Sequence, residues 1–438
     1  MTQLVVINVT QLNAPAPSML QQTGAIISQG GTTLSAGTYA IVPSLSTLGS
    51  LQTPSHAISS ITWTSSVATA TITGGHGIPG TTTVLGVISG VSSAGTASYD
   101  GTFACTATGT ATLTYPLTGN PGTSTALGTF TLNSVGEVLN QFTTYFAQGT
   151  NVSPYVLELG VTTPAAGITA LTTFINASAQ FFYQYLVPLE WDNATGFVTF
   201  LGNYTAPTKM TYFHIMTSQA NYSLYAGLKA AQCYIQNAAE AATVFDAATG
   251  FAIQLNTSPS SSSKVAPFSF RYCYGVTAYP TNGNLALLNT LQAASVNYIG
   301  TASQGGITNT IIVGGNTMDG NPFNYWYATD WCIINLSLML ANTIYNGSNS
   351  QPPLYYNQPG IDTLKSVAQQ TLVNGSVFGL LYVSAAQPIT VTAIPFGTYI
   401  QNNPSAYAAG TYNGLAATVT PLRGFSQITF NLQISNFG

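Results

Sequence analysis

The amino-acid sequence predicts a mixed α/β protein that carries an inserted all-β domain and ends in a β-strand at each terminus. Three observations lead there. Charge is almost absent: ten acids and six bases in 438 residues, where an ordinary soluble chain would carry roughly 110 such residues. Apolar content stays at 45%, so Ser, Thr, Asn, Gln, Gly and Tyr have taken the place of charge. The residue period then changes along the chain, from strand-like over 52–130 to helix-like from about Leu132 onward. Finally, each end reads as a single strand joined to the body through Pro or Gly.

The composition excludes several classes. A disordered chain needs low hydrophobicity or high net charge, and this one has neither, its formal net charge being -4. A nucleic-acid binder needs a basic face, and no Lys or Arg precedes Lys209. The charged flanks of a coiled coil are missing. No run of 18 apolar residues predicts a membrane span. The start, MTQLVVINVTQLNAPAP, lacks the basic region of a secretion signal. Two classes remain: a protein packed against copies of itself, and a secreted, polar, β-rich protein.

Taken in order, Leu4–Val9 reads as a strand followed by Pro15 and Pro17, and Thr38–Val42 as a second strand. Within 52–130 Asp100 is the only charged residue. Thr/Val/Ile runs recur there about every 10 residues between Gly and Pro turns, the pattern of a small antiparallel sandwich or barrel. Helices are expected at Gly167–Leu186, Asn221–Ile235, Asn284–Tyr298 and Phe323–Ile344, and from Pro359 to a stop at Asn374-Gly375. Strands are expected at 197–202, 268–276, 308–315 and 389–395, in LAATVTP, and at Gln427–Ser435. In the last, Ile428, Phe430, Leu432 and Ile434 share one face. An unpaired terminal strand is a liability unless an edge receives it. Donation to a neighbouring copy would use it, and pairing within its own sheet fits the pattern equally.

Catalytic chemistry finds little support. His56, His76 and His214 have no Asp or Glu within five residues, and no Gly-x-Ser-x-Gly elbow occurs. The histidines therefore read as structural. Cys105, Cys233, Cys273 and Cys332 are far apart and show no CxxC pair, so they read as buried free thiols rather than a disulfide framework or zinc site. Asn151, Asn176 and Asn203 sit in glycosylation-type triplets of the kind that chance produces in such a chain. Phosphate, dinucleotide, zinc-protease and calcium-loop motifs are absent, and no metal or cofactor is expected. The sharpest enzyme reading pairs Glu190 with Asp192 and Asp319 with Asp330 beside aromatic residues, as a glycosidase would. The plainer reading gives these acids to turns and caps.

The segment GGNTMDGNPFNYWYATDWCIINL resembles the core of bacteriophage contractile tail sheath proteins, in which a strand leads to a glycine turn, an aromatic stretch and a helix opening with Asp-Trp. Gly320, Pro322, Phe323, Asp330 and Trp331 match that pattern. The resemblance continues through PFSFRYCYGVTAYP, QPGIDTLKSVAQQTLVNG and QITFNLQIS, and covers about residue 130 to the end plus residues 1–20. Residues 52–130 are similar to β-sandwich modules inserted in phage tail and virion proteins. The resemblance implies an N-terminal strand arm at 1–20, a sheath core at 21–51 and 131–260, the inserted domain at 52–130, a C-terminal sheath domain at 261–420, and a C-terminal arm at 421–438. It implies a non-enzymatic virion subunit, assembled in the host cytoplasm. Such subunits stack as hexameric rings around a tail tube, meet baseplate and neck or terminator proteins, and contract during infection. Neighbours would be linked by arms, here through Val5, Val6, Ile7 and Val9 and through Ile428, Phe430, Leu432 and Ile434. The family's abundant surface charge is missing here. The alternative reading is a secreted or cell-surface carbohydrate-binding protein or glycosidase.

Overall fold

The structure, a computed structural model, describes residues 19–177, 182–240, 243–281, 283–301 and 309–425. The expected terminal strands, with Val5, Val6, Ile7, Val9, Ile428, Phe430, Leu432 and Ile434, lie outside the described residues. The chain forms two compact units. The larger includes Leu20–Ser258 and Ala266–Trp326, and the smaller includes Pro259–Val265 and Tyr327–Leu422.

The larger unit opens with β1 (Gly24–Ser28), β2 (Thr38–Ile41) and α1 (Leu45–Leu51). The Ser44 hydroxyl accepts the Thr47 N–H and so caps α1. A run of strands follows: β3 (His56–Thr64), β4 (Val67–Ile72), β5 (Thr83–Ser89), β6 (Ser92–Ser93), β7 (Gly101–Ala107), β8 (Thr112–Pro116), β9 (Ser124–Ala126) and β10 (Thr129–Leu132). Helices and strands then alternate: α2 (Asn133–Ala147), β11 (Tyr155–Glu158), α3 (Pro164–Ala177), β12 (Gln184–Leu186), α4 (Phe197–Gly202), β13 (Tyr212–Thr217), β14 (Ala231–Ile235) and α5 (Asp246–Leu255). After α6 (Leu285–Ala293), β15 (Tyr298–Thr301) pairs antiparallel with β16 (Thr310–Val313).

The main sheet runs β14-β13-β12-β1-β11-β2. All neighbours are parallel except the edge pair β11–β2. Numbered by their order in the chain, the five parallel strands lie 2-1-3-4-5, a doubly wound arrangement with its switch point between β1 and β12. Every residue of β1, β12, β13 and β14 is buried, as expected for strands covered on both faces. Ala25 and Ile27 pack on one face with Leu171 of α3 and Phe197 of α4. Ile26 packs on the other with Phe142 of α2 and Phe251 of α5.

β10, β3, β4, β8, β7 and β5 close into an antiparallel barrel, so of the sandwich and barrel that the strand spacing allowed the barrel forms, and not the sandwich that the resemblance implied. Ile61, Ala70, Leu113, Cys105 and Phe130 fill its interior. Outward residues are largely hydroxylic: Thr62, Thr69, Thr114, Thr106 and Thr83 stand in register across five strands. Small interior residues allow so tight a closure. A Cβ on Gly86 would lie 2.4 Å from the Phe130 ring.

In the smaller unit, α7 (Phe323–Ser348), from Tyr327 onward, is followed by α8 (Gln358–Val377), β17 (Leu381–Tyr382), β18 (Thr390–Ala393), α9 (Phe396–Asn402), α10 (Pro404–Ala408), β19 (Leu415–Thr418) and β20 (Thr420–Pro421). β17 pairs with β20, and β18 with β19.

Several expected elements differ. Residues 197–202 form helix α4, because Phe197, Phe200 and Leu201 bury one helical face after Gly196 turns at φ +84°. Asn221–Ile235 is a 3₁₀ turn at Tyr222–Tyr225 followed by β14, with Gly227 at φ +79° between them. Gly167–Leu186 and Asn284–Tyr298 each begin as helix and end in a strand. Residues 268–276 run irregularly beside β16, joined by Phe270 N–H to Ile312 O and Cys273 N–H to Thr310 O, with Phe270 at φ +61°. α8 passes Asn374-Gly375 and ends at Val377, before Gly379 at φ +77°. Asp330-Trp331 lies two turns inside α7 rather than opening it.

Candidate functional site

The glycine turn of the family-like segment is built by Asp319. Its carboxylate accepts hydrogen bonds from the Thr317 hydroxyl (2.6 Å), the Asn321 N–H and side-chain amide (3.1 Å each) and the Trp326 indole N–H (2.9 Å). Gly320 sits at φ +86°, a left-handed conformation that glycine adopts without strain. Pro322 precedes α7, where its missing N–H costs nothing. Phe323 is fully buried, edge-on to Tyr212 at 4.8 Å and near Phe268 at 5.2 Å. Beside them Lys229 is buried with its ammonium 4.5 Å from the Trp326 ring centre, and it donates to backbone carbonyls of Ala206, Pro207 and Lys209. In the smaller unit Asp330 is buried, and Trp331 packs edge-on to Phe378.

The other carboxylates singled out in the sequence are similarly occupied. Asp192 accepts from the Thr217 hydroxyl, the Ser218 N–H, the Asn221 amide and the Tyr225 hydroxyl, at 2.8–3.0 Å. It ties the loop after β12 to the end of β13. Burial raises the Glu190 carboxyl, with a hydrogen bond from Asn133 opposing. Among the described residues no cluster of three His, Cys, Asp or Glu is placed to hold a metal ion. No helix among them is long and apolar enough to cross a membrane.

His76 is buried, with Nε2 2.6 Å from Gly109 O and Nδ1 accepting the Ile78 N–H. The second bond makes Nε2 the protonated nitrogen, so this histidine pins a barrel turn. His214 is fully buried on β13 with Nε2 2.8 Å from Gln184 Oε1, and burial lowers it to about 3. All four cysteines are buried free thiols. Burial pushes Cys105, Cys273 and Cys332 up to about 12.

The site missed in the sequence is at the C-terminal end of β1, the strand that borders the switch point, on its β11 side. The loop after β1, Ser28-Gln29-Gly30-Gly31-Thr32, wraps the carboxylate of Glu158 at the end of β11. Oε2 accepts from the Ser28 hydroxyl (2.7 Å), the Thr32 N–H (3.1 Å) and the Thr32 hydroxyl (2.8 Å). Oε1 accepts from the N–H groups of Gly30 (2.6 Å) and Gly160 (2.7 Å). Glu158 is 1% exposed. In the same loop, Gln29 Oε1 accepts the Trp191 indole N–H at 2.7 Å. The available signal was two glycines directly after an apolar strand.

The edges of the sheets differ in how they are finished. Beyond β14, Asn297 exchanges backbone hydrogen bonds with Cys233 and Ile235, and the Met318 N–H donates to Ala231. Among the described residues the opposite edge, β2, pairs only with β11, and Tyr39 and Ile41 are exposed on it. In the smaller unit the Gln369 amide covers β18, donating to Ile389 O and accepting the Val391 N–H. Among the described residues β19 pairs with β18 alone, and it is largely exposed.

No family model matches the chain, and no curated protein is similar to it in sequence. Solved structures similar in fold include the following two. One is the sheath tail protein from Listeria innocua, at 8% identity and a TM-score of 0.43, covering 85% of this chain and 88% of that one. The other is a chain in the cryo-EM structure of the anti-feeding prophage baseplate in its contracted state, at 12% identity and a TM-score of 0.47, covering 99% and 98%.

Proposed function

We propose that this chain is a structural subunit of a contractile phage tail sheath, polymerising with copies of itself around a tail tube by exchange of terminal strands. The observation that carries the reading is β18–β19. A two-stranded sheet is marginal alone. One of its edges is already finished by the Gln369 amide, and the other, β19, has no further strand beside it among the described residues. It lies in the C-terminal region of the family-like segments, on a chain whose two ends both read as spare strands. A strand donated by a neighbour would complete it by backbone hydrogen bonding.

Gly320, Pro322, Phe323, Asp330 and Trp331 then act as framework: they hold the turn, open α7 and fix its first turns, and they do no chemistry. The baseplate and neck contacts, the hexameric stacking and the contraction belong to the same proposal. So does the location in the virion after assembly in the host cytoplasm. The inserted barrel is an added module on the same unit as the main sheet. Negative-stain imaging of the purified protein tests the reading. Rings or tubes are expected, and monodisperse globules at all concentrations would overturn it.

A further inference from the structure

We propose that the loop after β1 is a built oxyanion site whose resident anion is the chain's own Glu158 carboxylate, and that this internal ligation keys the barrel to the main sheet. The inference goes beyond the assembly reading and does not depend on it.

The loop has the chemistry of an anion nest. The N–H groups of Gly30 and Thr32 and the hydroxyls of Ser28 and Thr32 converge on one carboxylate, as the donors of phosphate-binding loops converge on an anion. Five donors reach the two oxygens of Glu158, and the carboxylate is shut away from water. Hydrogen bonds to an ionised group are roughly twice as strong as neutral ones. Donors left empty in such a buried place would be costly. The loop is also shaped for nothing larger than a glycine: a Cβ on Gly30, at φ +85°, would lie 2.4 Å from Val161.

The same loop touches both connections to the barrel. On the entry side, the Thr53 N–H donates to Gly31 O, the Thr33 N–H to Leu51 O, and the Thr53 hydroxyl to Gly30 O. On the exit side, the Gln29 N–H donates to the Ser134 hydroxyl, and a Cβ on Gly30 would come within 3.0 Å of Leu132. Glu158 therefore orders a segment to which both barrel linkers are tied. It is a positioning residue for the barrel.

The test uses full-length protein and reads amide hydrogen exchange at Thr33 and Thr53 together with the thermal midpoint. Glu158→Ala and Glu158→Gln are both expected to lower the midpoint and to speed exchange at the two linker amides. Acetate or formate is expected to restore Glu158→Ala in a saturable manner, because either refills the nest. Neutral acetamide and chloride are expected not to, and Glu158→Gln, whose amide fills the space and turns an N–H toward the donors, is expected not to respond. If Glu158→Ala fails to fold, Ser28→Ala and Thr32→Val remove donors while leaving the carboxylate, and they are expected to speed exchange at Thr33 and Thr53. Wild-type exchange in Glu158→Gln would show that charge is not required. Equal rescue by chloride, or unchanged linkers in the donor variants, would overturn the proposal.

Discussion

At the scale of single residues, the few ionisable groups are mostly used as internal fasteners, and their burial gives stability an unusual pH dependence. Burial pushes Glu137 up to about 8, opposed by the hydrogen bond from the Leu189 N–H, and pushes Asp246 up to about 8 as well. The folded state therefore holds these protons more tightly than the unfolded chain does, and stability falls as pH rises through the window from the ordinary carboxylate range to about 8. His214 works in the opposite direction. It is buried neutral and held near 3, so its contribution is lost as pH falls below its ordinary 6.5. From about pH 6.5 to 8 only the acids act, each changing stability by at most about 2 kcal/mol. The urea midpoint is expected to be lower at pH 8.5 than at pH 6.5, and Glu137→Gln is expected to shrink that difference. A midpoint that stays level over this span would show that both acids are already ionised in the folded state at pH 6.5. Gly86 supplies a second residue-scale expectation. Alanine there meets the Phe130 ring, and such overpacking costs ~1–3 kcal/mol. Gly86→Ala is expected to lower the thermal midpoint, and Gly86→Ala with Phe130→Leu to recover part of the loss.

At the scale of elements, strand exchange has a consequence at one backbone group. In the β18–β19 register, Val391 faces Ala417, and the Val391 N–H turns away from β19 to Gln369. Ala417 therefore also turns its N–H and C=O outward, toward an incoming strand. Ala417→Pro removes that donor without removing a rung of the existing ladder. It is expected to leave a folded subunit by circular dichroism and to abolish tubes in negative stain. Deletion of 1–9, or of 427–438, is expected to do the same, and tubes formed by either truncated chain would sink strand donation. The elements that could be read from the sequence were those not buried along their whole length. Thr38–Ile41, Thr310–Val313, Thr390–Ala393, α7 and the start of α8 fell where periodicity put them. The strands covered on both faces were misread, because Ala231–Ile235 and Gln184–Leu186 show no alternation to distinguish them from a helix. Residues 268–276 were misread for another reason: their alternating aromatics suit a strand, while Phe270 takes a left-handed turn that no pattern announces. Asp319 and Asp192 could be read as turn builders. Glu158 could not, since four of its five donors come from the Ser28–Thr32 loop, far away in the chain, and reach it only through the pairing of β1 with β11.

At the scale of the whole molecule, the scarcity of charge sets how any assembly responds to its surroundings. With ten acids and six bases in 438 residues, and with Glu137, Glu158, Asp246, Asp330 and Lys229 buried in the subunit, few ions are left to form contacts between copies. Surface ion pairs contribute roughly 0–1 kcal/mol each and are screened by salt. Apolar burial and backbone hydrogen bonds between strands are not screened, and sulfate strengthens burial. Assembled tubes are therefore expected to persist from low salt to about 1 M NaCl, where the Debye length is only ~3 Å. Sulfate is expected to favour assembly, and urea to reverse it, because urea solvates apolar and peptide groups alike. Light scattering across the three series distinguishes the cases. If NaCl alone dissolves the tubes and dialysis restores them, the exposed remainder, such as Asp362, Lys365 and Arg423, sits at the contacts and controls assembly. A flat response to NaCl with loss in urea is the signature of a lattice held by strands and apolar surface.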